Sequence, residues 1–136
     1  MLGSFEQARD AYDRSVAIRL ELNQPNLRME PTAGLVELHL ALGDLPAAAR
    51  EAEKIIQHIE DGQAFTGADE PLRIYHACYL LLERKKDPRA SRILQIAKRT
   101  LDAQVSSFSE ETARNRYVES IPWRQAIRDS IPPFGN

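Results

Sequence analysis

The residues with the widest chemical range in this chain are three histidines, one cysteine and scattered carboxylates. His76 and Cys78 stand two apart, which invites the idea of an imidazole activating a thiolate. On a helix, residues two apart point in different directions, so Cys78 reads instead as a small core residue. His39 lies between Leu35 and Leu42 and reads as a packed residue at the edge of a core. His58 falls near a helix end, where a cation suits the helix dipole. Glu51, Glu53, Glu60 and Asp61 read as a solvated acidic face. Arg84, Lys85 and Lys86, with Arg89 and Arg92 beyond, form a basic turn that either solubilises a helix end or meets an acidic partner. Tyr75 and Tyr79 are one helical turn apart and share a face. They serve either as contact points for a partner or as packing for the C-terminal tail, which carries Tyr117 and Trp123.

The excluded chemistries are broad. The sequence has no phosphate-binding loop, dinucleotide fingerprint, HExxH or nucleophile elbow. The formal net charge is −2, so there is no overall basic footprint for nucleic acid. One cysteine forbids an intrachain disulfide. No apolar run approaches the ~20 residues of a membrane span. The start, MLGSFEQARD, lacks the basic and apolar regions of a signal peptide. The expectation is a soluble cytoplasmic protein without catalytic activity, cofactor or metal. The alternative is a small helical enzyme or ligand-binding domain. It requires His39, His76, Cys78 and nearby carboxylates to converge in one pocket.

The elements that would position these residues are helical. Apolar residues recur three and four apart, and alternating β-branched runs do not occur. A first helix is expected from about Ser4 to Leu22, broken by the NQPN stretch at Pro25. A second spans Glu30 to Leu42, with Pro31 in its first turn and Gly43 at its end. Asp44 and Pro46 start a third, which ends near Glu60 before Gly62. Asp69 caps a fourth, which opens near Pro71 and ends near Arg84. Asp87 and Pro88 begin a fifth that reaches Gln104. Serines followed by glutamates at SSFSEE start a sixth over Glu110 to Glu119. A short seventh runs from Trp123 to Asp129.

The chain repeats itself. When Gly3 is aligned with Gly43, Phe5 matches Leu45, Ala8 matches Ala48, Tyr12 matches Ala52 and Ser15 matches Ile55. A looser third copy places Lys85 at the glycine position, with Ala90, Leu94 and Ala97 at the three helical ones. The preceding helices also correspond: Leu35, Val36 and His39 align with Ala77, Cys78 and Leu81. Small residues at Ala8, Ala48 and Ala90 let two helices approach closely, and longer ones such as Tyr12 and Leu94 fill the space beside them.

These stretches (ARDAY with Ser15, AREAE with Ile55, ASRIL with Ala97, and the turn LGDLPAA from Leu42 to Ala48) resemble the tetratricopeptide repeat family. The turns recur after 40 and then 42 residues, against about 34 in the standard repeat. The resemblance implies an all-α, right-handed superhelix of helical hairpins over residues 1–106, with a C-terminal cap over 107–136. It implies a scaffold that binds a protein or peptide partner, or upstream domains of the same protein. The concave groove would present Glu30, Ala33, Glu37, Leu40 and Ala41 from the second helix, and Leu72, Tyr75, Tyr79, Leu82 and Glu83 from the fourth. Residues 107 to 128, which include RYVESIPWR, resemble the closing segment of long repeat arrays in bacterial signalling proteins. Such arrays often follow an ATPase, nucleotide-cyclase or DNA-binding region. In this frame the first repeat lacks its first helix, and the chain reads as the end piece of something longer. Phe5, Tyr12 and Val16 then form an apolar stripe available for self-association.

Overall fold

The computed structural model describes residues 2–63, 65 and 70–130. Among them are seven helices and no strand: α1 (Leu2–Glu21), α2 (Pro25–Ala41), α3 (Leu45–Glu60), α4 (Pro71–Arg84), α5 (Arg89–Val105), α6 (Glu111–Glu119) and α7 (Pro122–Asp129). The protein is all-α, as the helical period of its apolar residues requires. None of the described helices is long and apolar enough to cross a membrane.

One hydrogen-bonded turn ends each of the first four helices. Asn23, Gly43, Gly62 and Lys86 all adopt positive φ, at 53°, 76°, 76° and 56°. The next residue's N–H reaches back five positions: Gln24 to the Arg19 carbonyl, Asp44 to His39, Gln63 to His58 and Asp87 to Leu82. This double closure satisfies carbonyls that the helix end leaves unpaired. Two of the turns then launch a helix with the same chemistry. The Asp44 carboxylate accepts from the Ala47 N–H at 3.1 Å, and Asp87 accepts from the Arg89 N–H at 2.9 Å. The left-handed residue of the α4–α5 turn is Lys86, so the repeat alignment that puts Lys85 at the glycine position is one residue early there. Within α5 the alignment holds: Ala90, Leu94 and Ala97 are fully buried, as are Ala48, Ala52 and Ile55.

Two expectations shift. α2 begins at Pro25, not near Glu30, because Pro25 occupies its first turn after the Asn23 turn has closed α1. Pro31 therefore lies inside α2, where it has no N–H to offer the Leu27 carbonyl. Next to that gap, the Thr32 hydroxyl donates to the Arg28 carbonyl at 2.8 Å. At α4, Glu70 is the cap, its carboxylate accepting from the Leu72 N–H at 3.3 Å. Asp69, expected in that role, lies outside the described residues.

Neighbouring helices pack in pairs, α1 on α2, α2 on α3 and α4 on α5, while α4 also packs on α2 and α3. α7 returns to lie against both α4 and α5, and α6 packs on α7. α7 therefore stands to α4 and α5 as α4 stands to α2 and α3. One continuous core joins them, from Met29 and Ala33 through Ile55, Leu72 and Leu94 to Val118 and Ile127. Each fully buried Leu or Ile in it contributes roughly 1.5–3 kcal/mol.

Candidate functional site

A concavity opens where α1 meets the N-terminal half of α2. It is a cleft of about 450 Å³. α1 contributes Ala11, Tyr12, Ser15 and Arg19. α2 contributes Leu27, Glu30 and Pro31, and α4 contributes Arg73. Two of the α2 residues belong to the early turns that exist because α2 starts at Pro25. The wall beside α1 is set by close helix contact. A Cβ placed on Gly34 of α2 would collide with the Tyr12 ring, so only glycine lets Tyr12 lie there.

The polar groups of the cleft are held in place and charge-balanced. Arg73 donates to one Glu37 carboxylate oxygen through Nη2 at 2.6 Å and Nε at 3.1 Å. Nη2 also donates to the Tyr12 hydroxyl at 3.3 Å. Partial burial works against the Arg73 charge. The hydrogen bond and charge of Glu37, with help from Tyr12, outweigh it and raise the pKa above the ordinary arginine value. Arg19 donates to the Gln24 side chain at 2.7 Å. The Arg73 guanidinium also sits 6.0 Å from the Trp123 ring, linking the cleft to α7.

The groove residues read from the sequence separate into two groups. Leu40, Leu72, Tyr79 and Leu82 are buried in the core and offer no surface to a partner. Glu37 and Tyr75 are half-buried, and Glu30 lines the cleft. The two tyrosines are engaged within the chain. The Tyr79 hydroxyl donates to Glu83 at 2.6 Å, and burial together with that carboxylate pushes its pKa up to about 12. Tyr75 meets the Phe65 ring edge-on at 5.2 Å, and burial raises its pKa. Phe65 in turn stacks on His58 at 5.3 Å. His58 is thus a buried residue at a helix end.

The stripe of Phe5, Tyr12 and Val16 is half-buried, and α2 is the helix along which α1 packs. Its intrachain partner is therefore α2. His39, His76 and Cys78 do not form a cluster with carboxylates. Cys78 is fully buried, its sulfur 4.0 Å from the Ala52 carbonyl oxygen, and burial pushes its thiol well above the ordinary range. Burial lowers the His76 pKa, opposed by the charges of Glu37 and Glu83. Among the described residues no three His, Cys, Asp or Glu side chains are grouped to hold a metal. The acidic and basic surface residues largely serve one another. Glu51 pairs with Lys54, and Arg89 binds both Glu53 and Asp87. Arg84 donates to the Leu40 carbonyl at 3.2 Å.

Of the cleft residues, Glu30 is one that the sequence places on the expected groove of the second and fourth helices, whereas Arg73, Ser15 and Arg19 are not singled out there for binding. Arg73 interrupts the apolar series Leu72, Ile74, Ala77 and Cys78, and that interruption was the available signal. No protein-family model, curated protein or solved structure matches the chain.

Proposed function

We propose that this chain is a protein-interaction module: a right-handed array of helical hairpins of the tetratricopeptide type, with no reaction of its own, that receives a peptide segment in the cleft between α1 and α2. The observation that carries this reading is the recurrence of one packing unit. α3 packs on α2 and α5 on α4 with the same three buried positions in each second helix, after turns of the same hydrogen-bonded form. Such stacked units place successive first helices along one side, where extended concave surfaces arise. α7 supports the same reading, since it covers the last pair in the place a further first helix would take. The setting in a larger regulatory or signalling protein rests on the likeness of residues 107 to 128 to the ends of such arrays.

The cleft suits an extended peptide better than a small metabolite. Its aliphatic surfaces, Ala11, Leu27 and Pro31, alternate with the hydroxyls of Tyr12 and Ser15 and with fixed charges. Selection from a phage-displayed library of random peptides tests this. The wild-type chain should enrich a family of related peptides, and Ala11→Trp, an exposed position that fills the cleft, should lose them. The distant exposed substitution Arg92→Ala should keep them. Equal enrichment by the Ala11→Trp protein would overturn the assignment of the cleft.

A further inference from the structure

The sequence repeat makes α1 comparable with α3, residue by residue. The half-buried side of α1 (Ala8, Tyr12, Ser15, Val16) corresponds to Ala48, Ala52, Ile55 and Ile56, which are buried in α3. An adjoining stripe behaves differently. Ala47 and His58 are buried in α3, whereas their counterparts Gln7 and Ile18 are exposed in α1. Ile18 is 51% exposed and Leu22, just past the helix end on the same stripe, is 57% exposed. Gln7, Ala11, Arg14 and Ile18 follow one another at helical spacing and make this face. Two large aliphatic side chains, Ile18 and Leu22, are thus left open along this face. The other end of the array has no such face, because α7 lies over α4 and α5.

We propose that the occupant of this face is a second copy of the chain, bound through α1 to α1 in antiparallel fashion about a two-fold axis. Two features select a copy of itself. With the far end covered by α7, copies do not stack head to tail, and copies that meet through this face form a closed two-fold pair. The face is also self-complementary in charge. Asp10 and Arg14 are both exposed and one turn apart. An axis crossing the helix between Ala11 and Arg14 sets each Arg14 beside the other copy's Asp10. The same axis lays each Ile18 over the other copy's Gln7 and Ala11. Ala11 at the centre permits close approach of the two helices. One face of a helix about 30 Å long is a small contact beside the ~800 Å² per partner of a standard interface. The pair therefore forms and dissociates with concentration.

Ala11 belongs both to this face and to the rim of the cleft, so the dimer is tested without a peptide and through Asp10, Arg14 and Ile18, which do not line the cleft. Sedimentation equilibrium of the full chain from micromolar to millimolar concentration should show a monomer–dimer equilibrium. Asp10→Arg or Arg14→Asp alone should weaken it roughly five- to tenfold. The double exchange Asp10→Arg with Arg14→Asp should restore the wild-type constant, which only reciprocal pairing predicts. Ile18→Glu should give a monomer with an unchanged helical circular dichroism spectrum. A strict monomer at millimolar concentration, or a dimer indifferent to Ile18→Glu, overturns the proposal. Failure of the double exchange to rescue also overturns it.

Discussion

The ring of Tyr12 occupies the space that a side chain on Gly34 would need. This contact sets the distance between α1 and α2, and with it one wall of the cleft. Gly34→Ala should therefore destabilise the protein by roughly 1–3 kcal/mol, the usual cost of overpacking. It should do so although alanine is the better helix former. Tyr12→Ala alone should also destabilise, and the double variant should cost less than the sum of the two, because the collision is then gone. Urea denaturation midpoints of the four proteins make the comparison. Strict additivity would separate the two positions.

The turns at Gly43 and Lys86 offer a matched pair of changes. Both residues are in the left-handed region, and a Cβ on Gly43 meets nothing within 4 Å. Gly43→Ala should thus cost about 1 kcal/mol through backbone strain alone, with no packing contribution. Lys86→Gly should go the other way and stabilise by roughly 0.5–1 kcal/mol, because it relieves the same strain. Thermal melts suffice to see opposite signs.

Glu70 does two jobs with its two carboxylate oxygens. Oε1 caps α4, while Oε2 receives Arg124 of α7 at 2.7 and 3.0 Å. The Arg124 guanidinium also lies 4.0 Å from the centre of the Tyr117 ring and donates to the Tyr117 carbonyl. Both side chains of the ion pair are mostly buried. Arg124→Ala should release α6 and α7 first, at a cost of about 2 kcal/mol for the lost charged hydrogen bonds. Hydrogen exchange should show lost protection in residues 111–130 while α2 and α3 stay protected. Uniform loss across the chain would mean that α7 is inseparable from the core.

His76 predicts a pH dependence of defined sign. Its folded pKa is depressed by burial, so near neutrality it is uncharged in both states and costs nothing. As the pH falls through the unfolded value of about 6.5, the unfolded chain takes up the proton first, and stability declines. The decline ends once the pH passes the lower folded pKa. His76→Gln should flatten the fall in stability on acidification from neutrality without altering the neutral plateau. An unchanged slope would place the titration on other groups.

Much of this architecture is written in local sequence. Gly43, Asp44 and Pro46 announce a turn that the structure builds with the expected hydrogen bonds, because capping depends on residues only a few apart. The two prolines of the α1–α2 region were harder to read. Pro25 and Pro31 are both acceptable in a first turn, and the choice between them depends on where α1 stops. Asn23 decides that by adopting a conformation usually left to glycine. The groove residues were the least legible. Leu40, Leu72, Tyr79 and Leu82 have the spacing of an exposed helical face, yet they are buried. Phe65 packs against Tyr75 and the returning α7 packs against α4, and these are long-range contacts that local spacing does not announce.

The Arg124–Glu70 pair joins positions 54 residues apart in the chain, from the last described helix to the start of the fourth. Tension applied at the C-terminal end reaches this link and the buried Ile127 before it reaches α4 or α5. The link is short, two-pronged and backed by an aromatic ring. A load on the tail is therefore met first by this link together with the packing of α7 on α4 and α5, ahead of the hairpins behind it.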